Sequence, residues 1–138
     1  MQRFLVFAFV ALLPPGFASS ANAVSERSFV GLWEGIDPVD GGDSLRSITC
    51  FRDQSCKLAA TDSVITLCGS GPAFAGGTGG LEGDELVFPD AALTCPDGRV
   101  VDLVISYERD RRNRTLVETV VVGGTTTLPN IIFHRISK

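Results

Sequence analysis

The chain has little of what most enzyme and metal sites are built from. It contains one histidine, His134, and four cysteines with no C-x-x-C pair among them, so the ligand spacing of a zinc site is absent. It has no G-x-S-x-G segment, and paired cysteines would leave no thiol for a Cys–His nucleophile. We therefore expect no metal, no cofactor and no enzymatic activity, with His134 packed or hydrogen-bonded rather than catalytic.

Long hydrophobic runs and helical periodicity are also missing. The longest apolar run, Phe4–Leu13, has ten residues, whereas a membrane-spanning helix needs about 20. A basic start precedes this run and Ala21-Asn22-Ala23 follows it, which is the layout of a secretory signal peptide with an A-x-A cleavage site. We predict a signal peptide at residues 1–23 and a single mature domain at residues 24–138. The mature protein would be secreted or periplasmic, with no membrane attachment after signal removal.

Basic residues are outnumbered by acidic ones. Arg3 is the only charged residue of the predicted signal, so the mature chain keeps 11 of the 12 basic residues and all 16 acidic residues, a net charge of −5. An acidic balance argues against nucleic acid as a partner, because the phosphate backbone attracts basic surfaces. We expect a monomer that does not bind nucleic acid.

Short alternating segments fill the mature chain. Val100–Glu108 places four large apolar side chains on one face, and Thr115–Val122 resumes after the polar segment Arg109–Arg114. Period-two alternation with β-branched residues is typical of half-buried antiparallel strands. Gly83-Asp84 and Pro96-Asp97-Gly98 supply the turn chemistry between such strands. The pattern predicts an all-β, antiparallel up-and-down meander of about eight strands, closed or nearly closed into a small barrel that removes its edges.

One stretch, Gly69–Gly80, has low complexity. It lacks the G-x-x-x-x-G-K-[ST] pattern of a phosphate loop and precedes no predicted helix. We predict a flexible loop between two strands, held down by Phe74.

The even number of cysteines in an exported chain predicts two disulfides. Three pairings are possible, and free reactive thiols are the functional alternative. If Arg52–Ser55 forms a hairpin turn, Cys50 and Cys56 lie opposite each other on one face, close to the separation that a disulfide requires. We therefore favour Cys50–Cys56 together with Cys68–Cys95.

A tryptophan and an arginine lie at opposite ends of the mature chain. Gly31 and Trp33 form a G-x-W on the first predicted strand, and Arg135 lies on the last. This arrangement resembles the calycins, the superfamily of lipocalins and avidins. The resemblance implies that Arg135 packs across Trp33 as a cation–π contact and closes one end of a barrel. Gly31, Trp33 and Arg135 would then be structural; the alternative is an ordinary core tryptophan and a solvated arginine.

Two charged segments allow alternative interpretations. Asp37, Asp40 and Asp43 recur in a glycine-containing loop and could ligate Ca²⁺, although aspartate is also a common turn residue. The arginines of Arg109–Arg114 could meet an anionic partner or form a solvated turn.

A small barrel offers an interior for a ligand and loops for a partner. We predict a secreted, non-catalytic binding protein for a small apolar molecule or a protein partner. The first alternative is a secreted inhibitor or interaction module that acts through Gly69–Gly80 and Arg109–Arg114. The second is a small hydrolase that uses carboxylates in the barrel mouth.

Overall fold

The computed structural model describes residues 23–69 and 71–137. The predicted signal peptide, residues 1–23, lies outside the described residues except for Ala23. Two short 3₁₀ segments, Glu26–Ser28 and Thr66–Cys68, are the only helical elements in the described chain. None of its helices is long and apolar enough to cross a membrane.

Strands make up most of the remainder. Turns separate the strands at the positions that the sequence predicts, with positive φ at Gly83 and Gly98. The strands are β1 (Gly31–Ile36), β2 (Asp43–Cys50), β3 (Cys56–Asp62), β4 (Ala73–Glu82), β5 (Glu85–Thr94), β6 (Val100–Asp110), β7 (Thr115–Val122), β8 (Thr126–Thr127) and β9 (Ile131–Ser137).

The sheet closes on itself. Strands β1 to β6 pair antiparallel in chain order, and β7 pairs with both β6 and β9. Strand β9 returns to β1 and completes a ring of eight strands, while the two-residue β8 pairs with β7 alone. The predicted all-β meander and its closure are confirmed. A small closed antiparallel barrel of eight strands is consistent with a calycin-like fold.

The two ends of the barrel differ. One end contains Trp33 and the turns at residues 51–55, 83–84 and 111–114, and we call it the closed end. The open end carries the connections at residues 37–42, 63–69, 71–72, 95–99 and 123–130.

Trp33 fills the closed end. Its side chain is fully buried, and its indole N–H donates to the carbonyl oxygen of Phe29 at 2.8 Å. The guanidinium carbon of Arg135 lies 4.4 Å from the indole centroid, as the calycin resemblance implies. A second guanidinium, that of Arg109, lies 5.0 Å from the same ring. Arg109 is therefore part of the barrel end rather than of a solvated turn.

Both predicted disulfides are present. Cys50 and Cys56 face each other across the β2–β3 hairpin, with their Cα atoms 4.0 Å apart. Cys68–Cys95 joins the 3₁₀ segment Thr66–Cys68 to the end of β5 at the open end. Two disulfides are compatible with secretion or with location in another oxidising compartment.

The predicted flexible loop at Gly69–Gly80 is wrong from residue 73 onward, where the chain forms β4. Phe74 is 63% exposed and does not hold a loop down. Glycine is needed in this strand because β5 approaches it closely at an irregular register. A Cβ atom at Gly79 would lie 1.9 Å from the carbonyl oxygen of Val87. The low complexity therefore marks close backbone packing, which is a known use of glycine in strands.

Candidate functional site

The open half of the barrel interior contains a cavity of about 280 Å³. It exists because inward positions there are small: Ala60 and Ala75 are register partners on β3 and β4, whereas Trp33 and Phe133 fill the other half. The wall is mainly apolar and comes from seven strands and three connections. Its apolar members are Val39, Ala60, Ile65, Leu67, Ala75, Leu93, Leu103, Ile105, Val120, Leu128, Pro129 and Ile131.

The second disulfide positions one side of the cavity mouth. Ile65, Thr66 and Leu67 line the cavity from the connection between β3 and β4. Cys68 follows them directly and is bonded to Cys95, so this connection is anchored to the barrel wall. This side of the mouth is therefore a tethered segment rather than a freely moving loop.

A buried ion pair forms the polar part of the cavity. Arg46 of β2 binds Glu118 of β7 with both halves of its guanidinium, Nε–Oε2 at 2.6 Å and Nη2–Oε1 at 2.9 Å. Both side chains are at most 4% exposed. Nη1 of Arg46 also donates to Asp62 Oδ1 at 2.9 Å, and the hydroxyl of Tyr107 donates to Glu118 Oε2 at 2.6 Å. These four hydrogen bonds compensate for the free-energy cost of burying the charges.

These contacts determine the charge states of Arg46 and Tyr107. Burial alone would lower the pKa of Arg46, but the Glu118 carboxylate, together with smaller contributions from Tyr107 and Asp62, holds that pKa well above its usual range. For Tyr107, burial and then the negative charge of Glu118 raise the pKa well above 10. Arg46 is a permanent cation, and Tyr107 a permanent hydrogen-bond donor, at neutral pH.

Tyr107 gives a direct spectroscopic test, because it is the only tyrosine in the chain. We expect no tyrosinate absorbance from the folded protein when the pH passes 10, and its appearance only together with unfolding. The neutral phenol is bound more tightly in the folded state, so stability falls as the pH rises above the unfolded value near 10. Parallel ultraviolet absorbance and circular dichroism titrations check this. A tyrosinate transition near pH 10 with unchanged circular dichroism would contradict the buried network.

Most of the residues singled out in the sequence lie outside the cavity, although Asp37 and Ala75, which belongs to the Gly69–Gly80 stretch, line it. Trp33 and Arg135 pack at the closed end, and the exposed His134 lies on the outer wall. Asp37 and Asp40 cap their own loop by accepting backbone N–H groups of Val39 and Gly42. Within residues 23–69 and 71–137, no three histidine, cysteine or acidic side chains are placed to hold a metal ion.

Sequence reasoning missed Arg46, Asp62 and Glu118. The signal was present in the alternation, because Arg46 is in phase with the inward residues Ser44 and Ile48 of β2. Glu118 is likewise in phase with Leu116 on β7. A positive charge at an inward position of one strand and a negative charge at an inward position of another together predict an internal ion pair.

No protein-family model matches this chain, and no curated protein sequence matches it.

Proposed function

We propose that the protein is a secreted, non-catalytic carrier of small, mainly apolar molecules, bound in the open half of a calycin-like barrel. The observation that supports this most is the cavity of about 280 Å³ with a largely apolar wall. That volume is near the lower end for ligand pockets, which are roughly 300–1,000 Å³. A cavity of this volume suits a small ligand rather than a drug-sized one.

The charges around the cavity favour one kind of polar group on the ligand. Asp37, Asp62 and Glu118 contribute three carboxylates to the lining, and Arg46 contributes one guanidinium. The local balance is therefore negative. Coulomb attraction in a partly buried site favours a neutral or positively charged head group over a carboxylate.

The hydrogen bonds of Glu118 favour a binding function over hydrolysis. Its two oxygens accept three hydrogen bonds, from Arg46 and Tyr107. Asp62, the next carboxylate, also contacts Arg46. Both carboxylates are therefore engaged by contacts within the protein rather than free to act on a substrate.

Isothermal titration calorimetry with octanol, octylamine and octanoate at neutral pH tests the proposal, since the three probes share one alkyl chain. We expect octanol and octylamine to bind at one site, and octanoate to bind about tenfold more weakly than octylamine because of the carboxylates. Ala75→Leu fills part of the cavity and should weaken octanol binding by about tenfold or more.

The matched control is Ala59→Leu. Ala59 neighbours Ala60 on β3 but is exposed on the outer wall, so the same added side chain there should leave octanol binding unchanged. Urea unfolding of both variants establishes that they remain folded. The absence of saturable binding for both octanol and octylamine would refute the carrier function, as would equal binding by the two variants.

A further inference from the structure

A second concave site lies at the closed end of the barrel. It is a cleft of about 830 Å³ between the β6–β7 hairpin, the end of β9 and the segment before β1. Its charged lining includes four arginines: Arg109, Arg111, Arg114 and Arg135. The chain as a whole is acidic, so this is a marked local concentration of positive charge.

Three of these four cations have no carboxylate partner among the described residues. No carboxylate in the described residues lies within 4 Å of Arg109, Arg114 or Arg135. Asp110 is the acid next to the turn of this hairpin, but its carboxylate accepts the backbone N–H groups of Arg112 and Asn113 and the side-chain amide of Asn113.

Packing on Trp33 keeps two of the cations together. Arg109 and Arg135 both stack on the indole, at 5.0 and 4.4 Å. Arg135 also donates to the carbonyl oxygen of Ser28 at 2.5 Å, and Arg109 donates to that of Thr115 at 2.7 Å. Burial, followed by the charge of Arg135, lowers the pKa of Arg109, and the charge of Asp110 offsets only part of this effect. Like charges held at fixed positions attract a multivalent anion without further ordering of the side chains.

We propose that this cleft binds a phosphate group, either free or carried by a lipid headgroup. Planar guanidinium groups match phosphate oxygens through paired hydrogen bonds, and several of them at one place suit a doubly charged oxyanion. A long polyanion such as nucleic acid fits less well, because the cleft is local and the net charge of the chain is negative. The site is at the opposite end of the barrel from the cavity and does not depend on the proposed carrier function.

Isothermal titration calorimetry with sodium phosphate, at an ionic strength held constant with sodium chloride, tests this site. We expect saturable binding that Arg114→Gln weakens by roughly five- to tenfold. Glutamine suits this position because Gln54 has a similar positive φ, 68° against 58° at Arg114. Arg109 and Arg135 are unsuitable for the test, since their removal would also disturb Trp33.

Arg112→Gln is the matched control, because Arg112 lies in the same turn but outside the lining of the cleft. It removes the same charge and should leave phosphate binding within about twofold of the original. The absence of saturable binding would overturn the proposal. Equal weakening by both variants would also overturn it, because it would show diffuse attraction to a basic hairpin rather than a site.

Vesicle sedimentation distinguishes the two sources of phosphate. Vesicles of phosphatidylcholine, with and without phosphatidylglycerol, are compared for the original protein and both variants. Sedimentation that requires phosphatidylglycerol, is lost in Arg114→Gln and is displaced by free phosphate supports a lipid headgroup. Binding of free phosphate without sedimentation supports a free anion. Sedimentation that the two variants reduce equally would contradict the site.

Discussion

Replacing Glu118 by glutamine should lower the free energy of unfolding by about 3–5 kcal/mol, the usual effect of removing one partner from a buried ion pair. The substitution preserves shape and removes the charge opposite Arg46, whose guanidinium is at most 4% exposed. Arg46 cannot escape by losing its proton, because arginine remains charged in proteins. The cost of burying that charge is then only partly offset by Asp62.

Urea unfolding followed by the fluorescence of Trp33, the only tryptophan, measures this change. Asp97→Asn provides the control, because the Asp97–Arg99 pair has a similar distance, 2.7 Å, but lies more than half exposed. An exposed pair is worth about 0–1 kcal/mol, so the control should be close to the original protein. A Glu118→Gln variant as stable as Asp97→Asn would show that the internal ion pair does not stabilise the barrel.

Gly79→Ala should destabilise the protein by roughly 3 kcal/mol, the upper part of the range for overpacking. The added Cβ atom would lie 1.9 Å from the carbonyl oxygen of Val87 and 2.8 Å from the ring of Phe88. The first of these is backbone, so relief requires β4 and β5 to separate rather than a side chain to rotate. Strand pairing would weaken where the register of these two strands shifts.

Gly80→Ala isolates this effect from the general preference of strands against glycine. At Gly80 the nearest atom to a new Cβ is 3.6 Å away, an ordinary contact. We expect this variant to be within about 0.5 kcal/mol of the original, or slightly more stable because the unfolded chain loses freedom. Thermal and urea unfolding of the pair give the comparison. Equal stability of the two variants would contradict the close approach of β4 and β5.

The parts of the fold that sequence predicts are those governed by local chemistry. The turn at Pro96-Asp97-Gly98 and the register of Cys50 with Cys56 follow from residues close together in the chain. The strand β4 was missed because its signal is not local. Its glycines have low intrinsic preference for strands, and their reason is the approach of β5, which only the assembled sheet contains.

The candidate site was missed for a related reason. Arg46 and Glu118 are 72 residues apart in the chain, and their strands are not neighbours in the barrel. Alternation indicates that each points inward, but their contact depends on the register of several intervening pairs. The position of Arg109 was missed in the same way. Arg109 continues the inward alternation of Leu103, Ile105 and Tyr107 on β6, but its contact with Trp33 exists only in the assembled barrel.

Methyl-resolved NMR during titration with octanol tests the central claim, that the open half of the barrel interior is a ligand site. We predict saturable shifts of the methyl groups of Leu93, Leu103 and Ile105, which line the cavity. The methyl groups of Leu86, which is buried but outside the cavity lining, should stay unchanged. Shifts confined to exposed outer-wall residues such as Ile132, which is 55% exposed, would contradict an internal site.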